Sequence, residues 1–174
     1  TRKRPSTDFL ETIQKDVNPS MRAILIDWLV EVAEEYRLVP DTLYLTVNYI
    51  DRYLSGNEIN RQRLQLLGVA CMLIAAKYEE ICAPQVEEFC YITDNTYFKD
   101  EVLDMEASVL NYLKFEMTAP TAKCFLRFCS PSCIGKFHGF TPTESHFLYF
   151  LLTIGDLSGL HKSVMRIHLC ILSS

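Results

Sequence analysis

The side chains that could do chemistry are few and scattered. Cys129, Cys133, His138 and His146 carry metal-ligating groups, but their spacings of four, five and eight do not match the paired ligands of a zinc site. Adjacent carboxylates occur at Glu79-Glu80 and Glu87-Glu88, at helix ends or surfaces where solvation accounts for them. The four histidines are His138, His146, His161 and His168, so the first 127 residues hold no imidazole to act as a general base. Gly56 and Gly68 are isolated, which excludes a phosphate-cradling loop, and no Gly-x-Ser-x-Gly, His-Glu-x-x-His or calcium-loop pattern occurs. The sequence does not read as an enzyme, and no metal or cofactor is expected.

More informative are the charged residues that fall among apolar ones. Between Pro19 and Pro40, Met21, Ile24, Leu25, Trp28, Leu29 and Val32 follow the period of a helix, with Ser20 as the expected N-cap. Projected at about 100° per residue, Arg22 falls inside the apolar arc, where a guanidinium needs a carboxylate partner. Asp51, within Tyr49-Ile50-Asp51-Arg52-Tyr53-Leu54, is the expected partner in a structural clamp. Glu106 lies likewise among Met105, Val109 and Leu113, and Lys77 closes an apolar helix at the end where the helix dipole favours a cation. Lys77 and Glu106 could pair with each other, or could leave hydrogen-bonding capacity for the ends of another protein's helix; periodicity leaves both open. The apolar arc between Pro19 and Pro40 is also about twice as wide as one core face needs. Its surplus edge, Met21, Ile24 and Trp28 bordered by Glu31 and Glu35, suits a peptide that is part basic and part apolar.

These side chains need a scaffold, and the pattern supplies five helices and no strand. Asp41 is the expected cap of a second helix that carries Leu43, Val47, Ile50 and Leu54 and stops at Ser55-Gly56-Asn57. A third follows Asn60; apolar almost all round from Leu64 to Ala76, it belongs at the centre, and its Gly68 fits the close approach of another backbone. Pro84 opens a short fourth helix over 85–92, while Val102, Met105, Val109 and Leu113 define a fifth that ends near Lys114.

Composition narrows the partners. The 174 residues are 49% hydrophobic and 22% charged, which suits one or two globular domains. A net charge of -5, and of -6 over residues 1–127 (14 basic, 20 acidic), has the wrong sign for nucleic acid or anionic lipid. The longest apolar stretches, Val69 to Ala76 and Phe147 to Ile154, are far shorter than the roughly 18 to 20 residues of a membrane span. No signal-peptide pattern opens the chain, and the basic residues of Thr1 to Arg4 read as solvated charge rather than a nuclear-localisation signal. Seven unevenly spaced cysteines suit reduced thiols in a reducing compartment. Charged residues number 34 in the first 127 positions but 5 in the last 47, so a boundary is expected near residue 128.

The run Met21-Arg22-Ala23-Ile24-Leu25-Ile26-Asp27-Trp28-Leu29-Val30-Glu31-Val32 resembles the opening of the cyclin box. Asn48-Tyr49-Ile50-Asp51-Arg52-Tyr53-Leu54, Leu64-Gln65-Leu66-Leu67-Gly68, Ala76-Lys77-Tyr78-Glu79-Glu80-Ile81, Tyr91-Ile92-Thr93-Asp94 and Met105-Glu106 follow in family order. Residues 8–127 thus resemble a mitotic, A-type cyclin, with wording most similar to the plant members. The resemblance implies an all-α fold: a five-helix cyclin box at 20–117 after a lead-in at 1–19, the start of a second repeat at 118–127, and an atypical segment at 128–174. It further implies a regulatory subunit that binds and activates a cyclin-dependent Ser/Thr protein kinase and recruits Arg-x-Leu substrates or inhibitors. Such a subunit would control cell-cycle progression in the nucleus and cytoplasm, with the chemistry left to the kinase.

By the same resemblance, Lys77 and Glu106 bond to the kinase around its regulatory helix. Met21, Ile24, Leu25, Trp28, Glu31, Leu64 and Gln65 line the substrate-docking groove, with Glu31 facing the arginine. Arg22 and Asp51 form the internal clamp, and Leu66 belongs to the core. Ala119-Pro120-Thr121-Ala122-Lys123-Cys124-Phe125-Leu126-Arg127 resembles the first helix of the second repeat, and the similarity then stops, with 54 residues remaining from Thr121. Neither the kinase-touching helix expected ahead of the box nor a destruction motif is in the sequence, so a truncated form or fragment is expected, with translated intron, a frameshift or alternative splicing at residue 128. The apolar stretches Phe147 to Ile154 and Val164 to Leu172 would either cover part of the box or promote aggregation. Two other readings stand beside this one. A truncated cyclin would occupy kinase or substrates without activating, and a transcription-factor-like helical repeat would need a basic stripe that the acidic balance opposes.

Overall fold

A computed structural model describes residues 8–119, which form helices α1 (Phe9–Thr12), α2 (Pro19–Glu35), α3 (Pro40–Leu54), α4 (Leu64–Glu79), α5 (Val86–Ile92) and α6 (Lys99–Leu113), with a 3-10 turn at Arg61–Arg63 ahead of α4. No strand occurs among the described residues. The five helices expected from periodicity are α2 to α6. The basic residues at Thr1 to Arg4, the ligand-type residues Cys129 to His146, the remainder of the second-repeat start and the segment at 128–174 lie outside the described residues.

The helix starts differ from the sequence reading in instructive ways. Asn18, not Ser20, caps α2: its Oδ1 accepts the Met21 N–H at 2.9 Å, and Pro19 fills the first helical position, where a missing N–H does no harm. Asp41 does not cap α3 but sits inside its first turn; Val39 is the boundary residue, and the acceptor for its N–H comes from Glu80 at the far end of α4. Helix α5 begins at Val86, with Gln85 as its cap, and the Glu88 carboxylate reaches back to the Gln85 N–H at 2.7 Å.

Helix α4 is the axis of the domain. Leu64 and every residue from Leu66 to Ala76 are buried, and α2, α3, α5 and α6 pack around them. At Gly68 the close neighbour is a side chain rather than the backbone expected: a Cβ there would stand 2.8 Å from Leu25 Cδ1 of α2. Residues of the expected lead-in also join the core, since Phe9 and Val17 are buried with it. Gln14 is the tie between them. Its Nε2 donates to the carbonyls of Leu54 and Asn57, each at 2.7 Å, and its Oε1 accepts the Ile59 N–H at 3.2 Å, so one buried amide satisfies backbone groups at the end of α3.

Candidate functional site

Arg22 of α2 and Asp51 of α3 meet in a two-point pair, Nε to Oδ1 and Nη2 to Oδ2, both 2.7 Å. With 3% and 14% of their side chains exposed, they lock two helices from the inside and are closed to a partner. The candidate groove runs along the seam of α2 and α4, which the Leu25–Gly68 contact brings together. Leu25 and Leu64, which would form its floor, are buried. Met21, Trp28 and Gln65 are half-buried along its sides, Glu31 is exposed, and Ile24 stands out at 70% exposure. A floor of leucine, an apolar lip and an acid one turn along can take an extended peptide with one apolar and one basic side chain.

The second candidate surface lies at the other end of α4, about 18 Å from Gln65 by the helical rise. Lys77 Nζ donates to both carboxylate oxygens of Glu106, at 2.8 and 3.0 Å. The two side chains are 50% and 11% exposed, so the lysine faces solvent while the carboxylate is set back between α4 and α6. Apolar residues that no core pattern explains are exposed at the end of α4, Tyr78 and the fully exposed Ile81, and just past the end of α6, Phe115 at 67% exposure. Phe115 is held out by the backbone. Lys114 and Phe115 both adopt left-handed conformations, φ 54° and 56°, where side chains are rarely placed without compensation. The residues that follow are pinned from α3, by the buried Arg52 donating to the Glu116 carbonyl at 3.0 Å and the Tyr49 hydroxyl to the Met117 carbonyl at 2.8 Å. The Tyr78 hydroxyl, 2.9 Å from Thr118 Oγ1, closes the rim.

Residues 1–118 match the family model described as Cyclin, N-terminal domain. The chain belongs to the cyclin family. It is 97% identical over 127 residues to Cyclin-A1-2 of Oryza sativa subsp. japonica, a match that covers 73% of this cyclin and 27% of that relative. To Cyclin-A1-1 of Arabidopsis thaliana it is 83% identical over 126 residues, 72% of this chain and 27% of the other. This cyclin therefore spans about a quarter of the length of the curated relatives it matches. Among solved structures, a viral cyclin from herpesvirus saimiri is similar in fold, with a TM-score of 0.67 at 21% identity, covering 95% of this chain and 90% of that one. Cyclins are regulatory, non-enzymatic subunits whose family partners are cyclin-dependent kinases.

Of the residues that the sequence analysis of this cyclin singled out, Arg22 and Asp51 pair inside the fold, Lys77 and Glu106 pair with each other, and Leu66 lies in the core. The reading missed the rim's apolar members and Glu80. Tyr78, Ile81 and Phe115 lie just past the ends of apolar stripes, where periodicity carries no signal; the one trace was an aromatic and an isoleucine set among charges in Lys77-Tyr78-Glu79-Glu80-Ile81.

Proposed function

We propose that this chain is a regulatory subunit that docks on a cyclin-dependent Ser/Thr kinase through the rim at the ends of α4 and α6 and recruits Arg-x-Leu substrates through the groove between α2 and α4. Acting in the nucleus and cytoplasm, it would hold the kinase's regulatory helix in the productive arrangement while the kinase performs the phosphoryl transfer. The observation that carries this reading is the rim itself: a half-exposed Lys77 bonded to a recessed Glu106, with Tyr78 and Ile81 exposed at the same end of α4. An exposed apolar patch of this kind marks an interaction surface. Its paired charges offer a donor and an acceptor to the ends of a partner helix, whose last carbonyls and first N–H groups lack partners of their own. Glu31, beside the Ile24 and Trp28 lip, supports an arginine in the docked peptide.

The test is a titration of the full chain into a monomeric cyclin-dependent kinase already phosphorylated on its activation loop, following phosphate transfer to a substrate with an Arg-x-Leu site. Activity is expected to rise, and Lys77→Ala and Ile81→Ala are each expected to weaken kinase binding about tenfold, as truncation of a central contact does. Captured kinase that stays inactive would mean a cyclin that occupies its partner without activating it, and wild-type chain that captures no kinase would overturn the docking assignment.

A further inference from the structure

We infer that Glu80 is a positioning residue for the kinase-facing rim, acting as a long-range latch between the end of α4 and the start of α3. The inference rests on the reading of that rim as the kinase-docking surface. Helix α3 begins without a capping side chain of its own: its boundary residue is Val39 and its first residue is Pro40. The Glu80 Oε1 supplies the missing acceptor, taking the Val39 N–H at 2.7 Å and the hydroxyl of the buried Thr42 at 2.6 Å. A carboxylate at a helix N-terminus is also favoured by the helix dipole. The latch sits where α4 stops. Glu80 is extended, φ -84° and ψ 145°, while its own N–H still closes the last helical turn on the Ala76 carbonyl at 2.9 Å.

The consequence follows from sequence adjacency. Lys77, Tyr78 and Ile81 all lie within three residues of Glu80, and the end of α4 is held at three points on three different elements: Lys77 to Glu106 of α6, Tyr78 to Thr118 beyond α6, and Glu80 to the start of α3. Ile81, fully exposed, is the residue after the latch and has no core contact to fix its direction. Among the described residues, the Glu80 carboxylate ties this backbone to the start of α3, so it sets where Ile81 projects and keeps α4 from fraying back through Lys77.

The experiment compares Glu80→Ala, Glu80→Gln and Thr42→Val in the full chain, with Lys77→Ala and Ile81→Ala alongside, reading kinase affinity and, separately, affinity for an Arg-x-Leu peptide. Glu80→Ala is expected to weaken kinase binding about tenfold and leave peptide binding within about twofold, because the groove lies at the opposite end of α4. Glu80→Gln keeps the accepting oxygen and should restore most of the loss. Thr42→Val, which removes one donor at little change in volume, should weaken kinase binding about threefold and add nothing to Glu80→Ala, the mark of two residues acting through one contact. Equal loss of kinase and peptide binding would mean a general structural role and overturn the assignment. So would Glu80→Ala with unchanged kinase affinity while Lys77→Ala and Ile81→Ala reduce it, which would leave the docking reading intact. If Lys77→Ala and Ile81→Ala change nothing either, the docking reading fails and the latch falls with it.

Discussion

Arg22 and Asp51 set the terms at the scale of single residues. Their pair is nearly closed to water, and taking either charge out of solvent is repaid only while the other stands 2.7 Å away. Removing one partner is therefore worse than removing both. Asp51→Asn or Arg22→Ala should lower the free energy of unfolding by about 3–5 kcal/mol, read as a drop in the urea midpoint. The double change Arg22→Met with Asp51→Leu should recover much of that loss; a double variant no more stable than the singles would show that the two charges stabilise α2 and α3 independently. Lys77 and Glu106 follow the opposite logic. With half of its side chain in solvent, Lys77 contributes little to folding. Two ion pairs of similar length thus differ in what they contribute to folding, and burial decides which is the clamp.

At the scale of elements, α4 couples the core to both candidate surfaces, and Gly68 is where that coupling is tightest. A methyl group there would press on the Leu25 side chain, which the proposed groove takes as its floor. Alanine gains about 1 kcal/mol of helix propensity over glycine, while forced repacking against Leu25 costs about 1–3 kcal/mol. Gly68→Ala should leave folding stability within about 2 kcal/mol of wild type and weaken Arg-x-Leu peptide binding, with kinase affinity unchanged. Unaltered peptide affinity would show that the Leu25 position is not what shapes the groove. The helices were legible because burial on α2, α3 and α6 repeats with the helical period over four turns or more, while the apolar run of α4 is too long for a typical strand. Their starts were less so. Asn18 and Ser20 are equally good caps by type, and only the backbone entering Pro19 selects between them. The cap of α3 comes from Glu80, which no local pattern can reveal. Helix α1, four residues long, has too few turns to show a period, so the burial of Phe9, Gln14 and Val17 went unread. For the site, charges inside apolar arcs pointed to Arg22, Asp51 and Glu106, and the cation that closes an apolar helix pointed to Lys77. The exposed Ile81 and Phe115 break no pattern and become visible only once the fold leaves them uncovered.

For the whole molecule, the state of α4 is the state of the fold, and two groups at its centre report on it. Cys71 lies in the middle of α4 and Tyr49 packs against it from α3, both fully shielded from solvent. Burial pushes the Cys71 thiol far above its ordinary 9.0 and the Tyr49 phenol far above its ordinary 10.0. The folded protein therefore keeps both protons where the unfolded chain gives them up. Their contribution to stability is fully present below the unfolded values and is lost as pH rises. Each proton released only on unfolding lowers stability by about 1.4 kcal/mol per pH unit, so the slope should be at least about that above pH 9 and should steepen severalfold above pH 10, where the Tyr49 phenol and the half-buried Tyr44 phenol, likewise raised by burial, join the thiol. Urea midpoints measured at intervals from pH 8 to 11 would trace this curve. Cys71→Ala should start lower, because a buried side chain has been cut back, yet fall less steeply between pH 9 and 10. An identical slope in the variant would mean that the thiol ionises in place, and that α4 opens locally without the rest of the domain.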